Sequence, residues 1–167
     1  MVYYCNDKWQ VLEEYDGGDN FKSLYIYGNY IDEVLYSYDA NSSSQYYYVH
    51  DHLYSPAALV DTSTGAALER YEYDAYGNVH VLEAEFTADA DNQSDYGNAY
   101  FFTGRRLDIL DNSSLKIQYS RNRYYDYYTG RSRIAEIFFD EMICPSFVQT
   151  NDNFVEFKYG RVVECAF

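Results

Sequence analysis

Of the three histidines in the chain, two stand two positions apart, in His50-Asp51-His52. In an extended strand such a pair faces the same way, so the two imidazoles could share a metal ion. A third ligand would have to be His80 or a carboxylate. His-x-His is a short pattern, and we read it as structural hydrogen bonding rather than a metal site. Residues 87–97, TADADNQSDYG, offer Asp89, Asp91 and Asp95 as oxygen ligands for calcium. They lack the central glycine and closing glutamate of an EF-hand loop, so a solvated loop is expected. Arg121 and Arg123 alternate with apolar residues and could hold an anionic substrate, but carboxylates and tyrosine rings are the expected partners. No serine sits in a nucleophile elbow, and no glycine-rich loop follows a strand and opens a helix. Catalytic, cofactor-binding and metal-binding residues are therefore each assigned as none. The chain is expected not to be an enzyme and to need no cofactor.

The totals narrow the classes further. The 167 residues include 23 tyrosines and 10 phenylalanines but one tryptophan. Tyrosine joins a flat apolar body to a hydroxyl that needs a partner, which suits sheets with one packed and one wet face. A formal charge of −15 argues against nucleic acid and anionic lipid as direct partners. Cys5, Cys144 and Cys165 lack the spacing of a zinc site; a disulfide among them is neither required nor excluded. The opening MVYYCNDKWQ has no signal-peptide pattern, and no apolar run is long enough to span a membrane as a helix.

The stretches that must position these residues read as short strands. Val2 to Trp9, Val11 to Tyr15, Ser23 to Tyr27, Tyr30 to Tyr38, Tyr46 to His52, Leu68 to Tyr73 and Val79 to Phe86 are separated by turn signals at intervals of roughly ten residues. Tyr100 to Thr103 and a long run, Leu115 to Tyr125, follow. In that run the alternation puts Leu115, Ile117, Tyr119, Arg121, Arg123 and Tyr125 on one face. Four strands end in Tyr-Asp before a turn, at Asp16, Asp39, Asp74 and Asp126. An aspartate there can accept bonds from backbone N–H groups two residues on and fix the turn. The spacing of these echoes is uneven, so they form a degenerate repeat rather than a fixed-period solenoid. The tail differs: Ile134 to Ile143 reads as a short helix, and Phe154 to Tyr159 with Val162 to Phe167 as a hairpin around Gly160. The expected fold class is all-β, a meander of short antiparallel tyrosine-rich strands, with a divergent mixed tail.

Two ordered blocks carry a family resemblance. The first holds His50-Asp51-His52-Leu53, Ala57, Leu59, Leu68-Glu69-Arg70-Tyr71-Glu72-Tyr73-Asp74 and Tyr76-Gly77-Asn78. The second holds Phe102-Thr103-Gly104-Arg105 and Asn122-Arg123-Tyr124-Tyr125-Asp126-Tyr127-Tyr128-Thr129-Gly130-Arg131. Together they resemble the repeat-associated core of the Rhs/YD-repeat family, over residues of about 9–131.

The resemblance implies a structural role. Family members wind such strands into a hollow shell around a C-terminal segment, often a toxin, and act in bacterial toxin delivery, secreted or at the cell surface. It implies a division into a core-like β region, 1–131, and a divergent tail, 132–167. The partners it implies are other YD repeats of the same or a longer chain and a C-terminal toxin cargo. The missing signal peptide then fits a piece of a longer bacterial protein. After Arg131 the Arg-Asp-Pro type of motif is absent, so the self-cleavage of some members is not carried over. The tail reads as a frameshifted or truncated end ahead of a genuine alternative ending. A tyrosine-rich module binding carbohydrate or protein is the alternative function, and a small hydrolase or toxin built from the tail is a second. A sheet cut from a larger shell is expected to be weakly stable or to associate through unpaired edges.

Overall fold

A computed structural model describes residues 1–110, 115–121 and 123–132 in full, and the backbone of 133–134 and of three further strands. The described residues are β-structure joined by turns, with one turn of 3₁₀ helix at Phe102–Gly104. The strands are β1 (Val2–Cys5), β2 (Val11–Tyr15), β3 (Phe21–Tyr27), β4 (Val34–Asp39), β5 (Ser44–His50), β6 (Pro56–Asp61), β7 (Ala67–Tyr73) and β8 (Val79–Glu83). Then come β9 (Leu107–Leu110), β10 (Leu115–Ser120), β11 (Arg123–Asp126), β12 (Arg131–Ile134), β13 (Ser146–Gln149), β14 (Val155–Lys158) and β15 (Val162–Cys165). From β1 to β8 the chain is a continuous antiparallel meander, and β15 adds to β1 in parallel. β9 to β12 make a second antiparallel sheet, and β13 pairs with β14. The all-β meander expected from the sequence is the observed fold.

The aspartate turns form as the local chemistry dictates. Asp16 Oδ1 accepts the N–H of Gly18 at 2.8 Å and of Asn20 at 3.0 Å. Asp39 accepts the N–H of Asn41 at 3.0 Å, Asp74 that of Tyr76 at 2.8 Å, and Asp126 that of Tyr128 at 2.9 Å. Asp51 and Asp61 do the same for Leu53 and Ser63. Each of these aspartates bonds an N–H two residues on, and Asp16 also one four residues on, so hairpin geometry is written into the local sequence.

The core lies between the long meander and the β9–β11 side of the second sheet. Tyr25, Tyr46, Tyr48, Leu59, Tyr71, Val79 and Val81 present the meander's inner face, and Tyr100, Phe101, Leu107 and Tyr127 cover it. Rings meet edge to face: Tyr25 on Tyr100 at 5.0 Å and Tyr71 on Phe101 at 5.2 Å. Such pairs add about 0.5–1.5 kcal/mol each beyond the area they bury. The hydroxyls find partners as well. Tyr27 donates to the Tyr100 oxygen at 3.0 Å, Tyr48 to Asn98 at 3.1 Å and Tyr73 to the Pro56 carbonyl at 2.7 Å. Burial pushes the Tyr25, Tyr71, Tyr73 and Tyr100 hydroxyls well above their usual range, so they stay neutral. Tyr71 and Tyr73 share the inner side, as the alternation in β7 requires.

Several sequence expectations are corrected. Leu115 to Tyr125 is a hairpin rather than one strand, because the chain reverses at Arg121, whose φ is +57°. Its six residues therefore do not share a face. Tyr100 to Thr103 contributes one isolated bridge at Tyr100 and then curls into the 3₁₀ turn, with Thr103 at φ +56°. β6 and β9 carry no expected strand; Pro56 is tolerated as the first residue of β6, where its missing N–H does least harm. In the tail, β14 and β15 fall where a hairpin was expected, but β14 pairs with β13 and β15 with β1. The expected helix begins at Ile134, which ends β12, and otherwise lies outside the described residues.

Candidate functional site

The two blocks of family-like residues meet in space. Asp51 closes the turn after β5 by accepting the Ser55 N–H at 2.9 Å, and the fully buried Ser55 Oγ accepts the Thr103 N–H at 3.0 Å. The 3₁₀ turn is wedged between this loop and the 28–33 loop, so that a Cβ on Gly104 would lie 3.2 Å from the Tyr54 carbonyl oxygen and 1.9 Å from that of Asp32. A Cβ on Gly77 would meet the Phe102 ring at 2.3 Å, and one on Gly130 would touch the Tyr76 ring at 3.1 Å. The Tyr125 hydroxyl donates to the Tyr76 carbonyl at 2.7 Å. The motif residues thus build a seam between sheets rather than converge on a reacting atom.

A buried charge cluster lies beside the seam. Arg106 pairs with Glu14 across the sheets, stands 3.5 Å from Asp108, and lies over the Tyr3 ring at 4.7 Å. It also donates to the Tyr3 hydroxyl at 3.1 Å. Burial is the largest single influence and works against the guanidinium charge, but the Glu14 carboxylate together with Tyr3, Tyr100 and Tyr25 outweighs it and holds Arg106 well above its usual range. Farther out, Asp32 sits between two more arginines. Arg121 donates to its carboxylate at 2.7 Å, and Arg105 Nε stands 3.7 Å away. Together with Trp9, Gln10 and Tyr119 these residues line a cleft of about 50 Å³ where the two sheets meet. That is far below the roughly 300–1,000 Å³ of pockets for drug-sized ligands. The cleft suits one small group.

The sequence candidates fall elsewhere. β5 ends at His50, and His52 stands exposed in the following turn, so the pair does not share a strand face. His50 stacks on Tyr48 at 6.2 Å, and burial lowers its pKa and favours the neutral ring. Its Nε2 is buried without a hydrogen-bond partner, so the expected structural hydrogen bond is not seen at that atom. In the acidic loop, oxygens of Glu83, Asp89 and Asp95 lie within 4.8 Å of one another. Asp91 instead bonds to Asp89, which raises its pKa, while the Gln93 N–H lowers that of Asp89. Glu83 was missed because it lies on β8, outside the loop. Arg121 reaches the cleft, and Arg123 is exposed on β11. Asp32, Arg105 and Arg106 gave no sequence signal as a group, since their approach depends on how the sheets pack.

No family model matches the chain. Its similarity is to two long bacterial nucleases. It is 29% identical over 124 residues to the tRNA3(Ser)-specific nuclease WapA of Bacillus spizizenii, and 30% identical over 124 residues to the tRNA nuclease WapA of Bacillus subtilis strain 168. Each match covers 74% of this chain and 5% of the relative, so the chain spans about one-twentieth of the length of either. Both relatives are named nucleases, which overturns the expectation that the protein has no enzymatic role. Among the described residues no helix is long and apolar enough to cross a membrane.

Proposed function

We propose that this chain is a YD-repeat segment of an Rhs-type polymorphic toxin whose reaction class is RNA cleavage. Residues 1–131 form the repeat region and 132–167 a divergent tail. The tyrosine sheets wall in and shield a toxin segment, and their partners are neighbouring repeats and that cargo. The protein works outside the producing cell, secreted or at its surface. The observation that carries this reading is the run of Tyr-Asp hairpin turns at Asp16, Asp39 and Asp74 in one continuous meander, repeated at Asp126 in the second sheet, in a chain similar to tRNA nucleases. A sheet whose edges continue into further strands can curl into a wall, and each aspartate turn sets one step of it. The net charge of −15 keeps free polyanions off that wall, so RNA would meet the enzyme only after the cargo is released.

The test is to express the chain together with the coding sequence that flanks it and image the product by electron microscopy. Transfer RNA cleavage is then assayed before and after limited proteolysis. A closed particle whose nuclease activity rises on opening is the expected result. An open sheet, or activity indifferent to opening, refutes enclosure.

A further inference from the structure

We propose that the cleft between the two sheets is a receptor for a single carboxylate, the side chain of an aspartate or glutamate presented by a peptide. The donor arithmetic carries this. Two guanidiniums, Arg105 and Arg121, face one resident carboxylate, Asp32. Arg121 spends one N–H on it at 2.7 Å. The Nε of Arg105 is buried and has no hydrogen-bond partner, with the Asp32 oxygen too far away at 3.7 Å. An arginine carries five N–H donors in a planar fork that matches a carboxylate. A buried donor without an acceptor costs free energy that an incoming acceptor would recover.

The surroundings choose among anions. A cleft of about 50 Å³ admits a small planar group and excludes a nucleotide. Behind the arginines, Arg106 is already matched by Glu14 and Asp108. At the mouth, Arg105 and Arg121 against Asp32 leave a local excess of one positive charge, while Arg106 with Glu14 and Asp108 behind them leaves an excess of one negative charge, inside a chain of −15. A monoanionic carboxylate fits that balance, whereas a dianionic phosphate meets added repulsion from Asp32, Glu14 and Asp108.

Trp9 is the only tryptophan of the chain, so it reports on the cleft without labelling. The experiment follows its fluorescence while the chain is titrated with N-acetyl-aspartate methylamide, with the asparagine compound, chloride and inorganic phosphate as parallel probes at equal ionic strength. The expected result is a saturable change with the aspartate compound at a Kd on the order of 1–10 mM. Arg121→Gln should weaken it at least about tenfold, the scale of one charge-assisted hydrogen bond. Asp32→Asn removes the resident competitor and should tighten it by a similar factor, a direction that mere loss of fold would not give. No saturable change in the wild-type chain overturns the proposal. So does an equal response to the asparagine compound or chloride, phosphate binding at least as tight, or weaker binding in a folded Asp32→Asn protein.

Discussion

Replacing Gly104 by alanine tests whether the 3₁₀ turn is the wedge that joins the two sheets. Two costs add. Gly104 has φ +69°, a conformation costing an L-residue roughly 1–2 kcal/mol. The new Cβ would also lie 1.9 Å from the Asp32 oxygen and 2.9 Å from its carbon, where ordinary contact begins at 3.4 Å. Those are backbone atoms, so relief requires the 28–33 loop or the turn itself to move. Overpacking of this kind costs about 1–3 kcal/mol more, giving a total of about 2–5 kcal/mol. In a domain of this size that lowers Tm by about 4–20 °C. Three other glycines calibrate the measurement. Gly77→Ala carries the positive φ but meets the Phe102 ring, a side chain that can swing aside, so its cost should be smaller. Gly65→Ala carries only the conformational part, about 1–2 kcal/mol, since nothing lies within 4 Å. Gly17→Ala meets nothing and needs no positive φ, so it should be neutral or slightly stabilising. Thermal and urea unfolding of the four variants, followed by circular dichroism, gives the order. A Gly104→Ala protein no less stable than Gly65→Ala would refute the wedge.

Two further outcomes follow from the charges. Arg106→Met leaves Glu14 and Asp108 buried without their cation and should cost about 3–5 kcal/mol; adding Glu14→Gln should recover part of that loss, and urea midpoints that do not separate the single from the double variant would contradict the assigned pairing. Hydrogen bonds hold the Asp16 and Asp61 carboxyls at about 2, from Asn20 in the first case and from Ser63 and Thr64 in the second. Because these pKa values are depressed, their stabilisation is present above the ordinary aspartate value of about 3.9 and is lost as pH falls from there towards about 2. Tm should therefore drop across that window and drop less in Asp61→Asn, whereas equal slopes would dissociate the turns from acid stability.

Gly104 also shows how far the sequence reaches. From the residues alone it is one glycine in Phe-Thr-Gly-Arg; its neighbours Asp32 and Tyr54 are more than forty residues away, and nothing local announces them. Ile26 makes the same point on β3. Its alternation with Tyr25 was plain, yet the tyrosine is buried and the isoleucine half-exposed, against simple hydropathy. Tyr25 wins the inner face because Tyr100 supplies an edge-to-face ring there. The long run 115–125 failed for a related reason: period-two alternation continues through a two-stranded hairpin, so the pattern cannot reveal a reversal at Arg121 that has no glycine or proline to mark it.

What the amino-acid order determined by itself is the local half of the fold. Tyr-Asp at a strand end is followed by N–H groups close enough to bond the carboxylate, so the turns and the meander between them need no distant partner. What only the tertiary structure decided is everything that depends on two distant segments filling one space: which face of the meander is core, where Arg106 finds Glu14, and the cleft in which Arg105 and Arg121 share Asp32. Contacts made within a few residues are fixed by chain geometry, whereas contacts between the sheets are fixed by packing the whole chain at once.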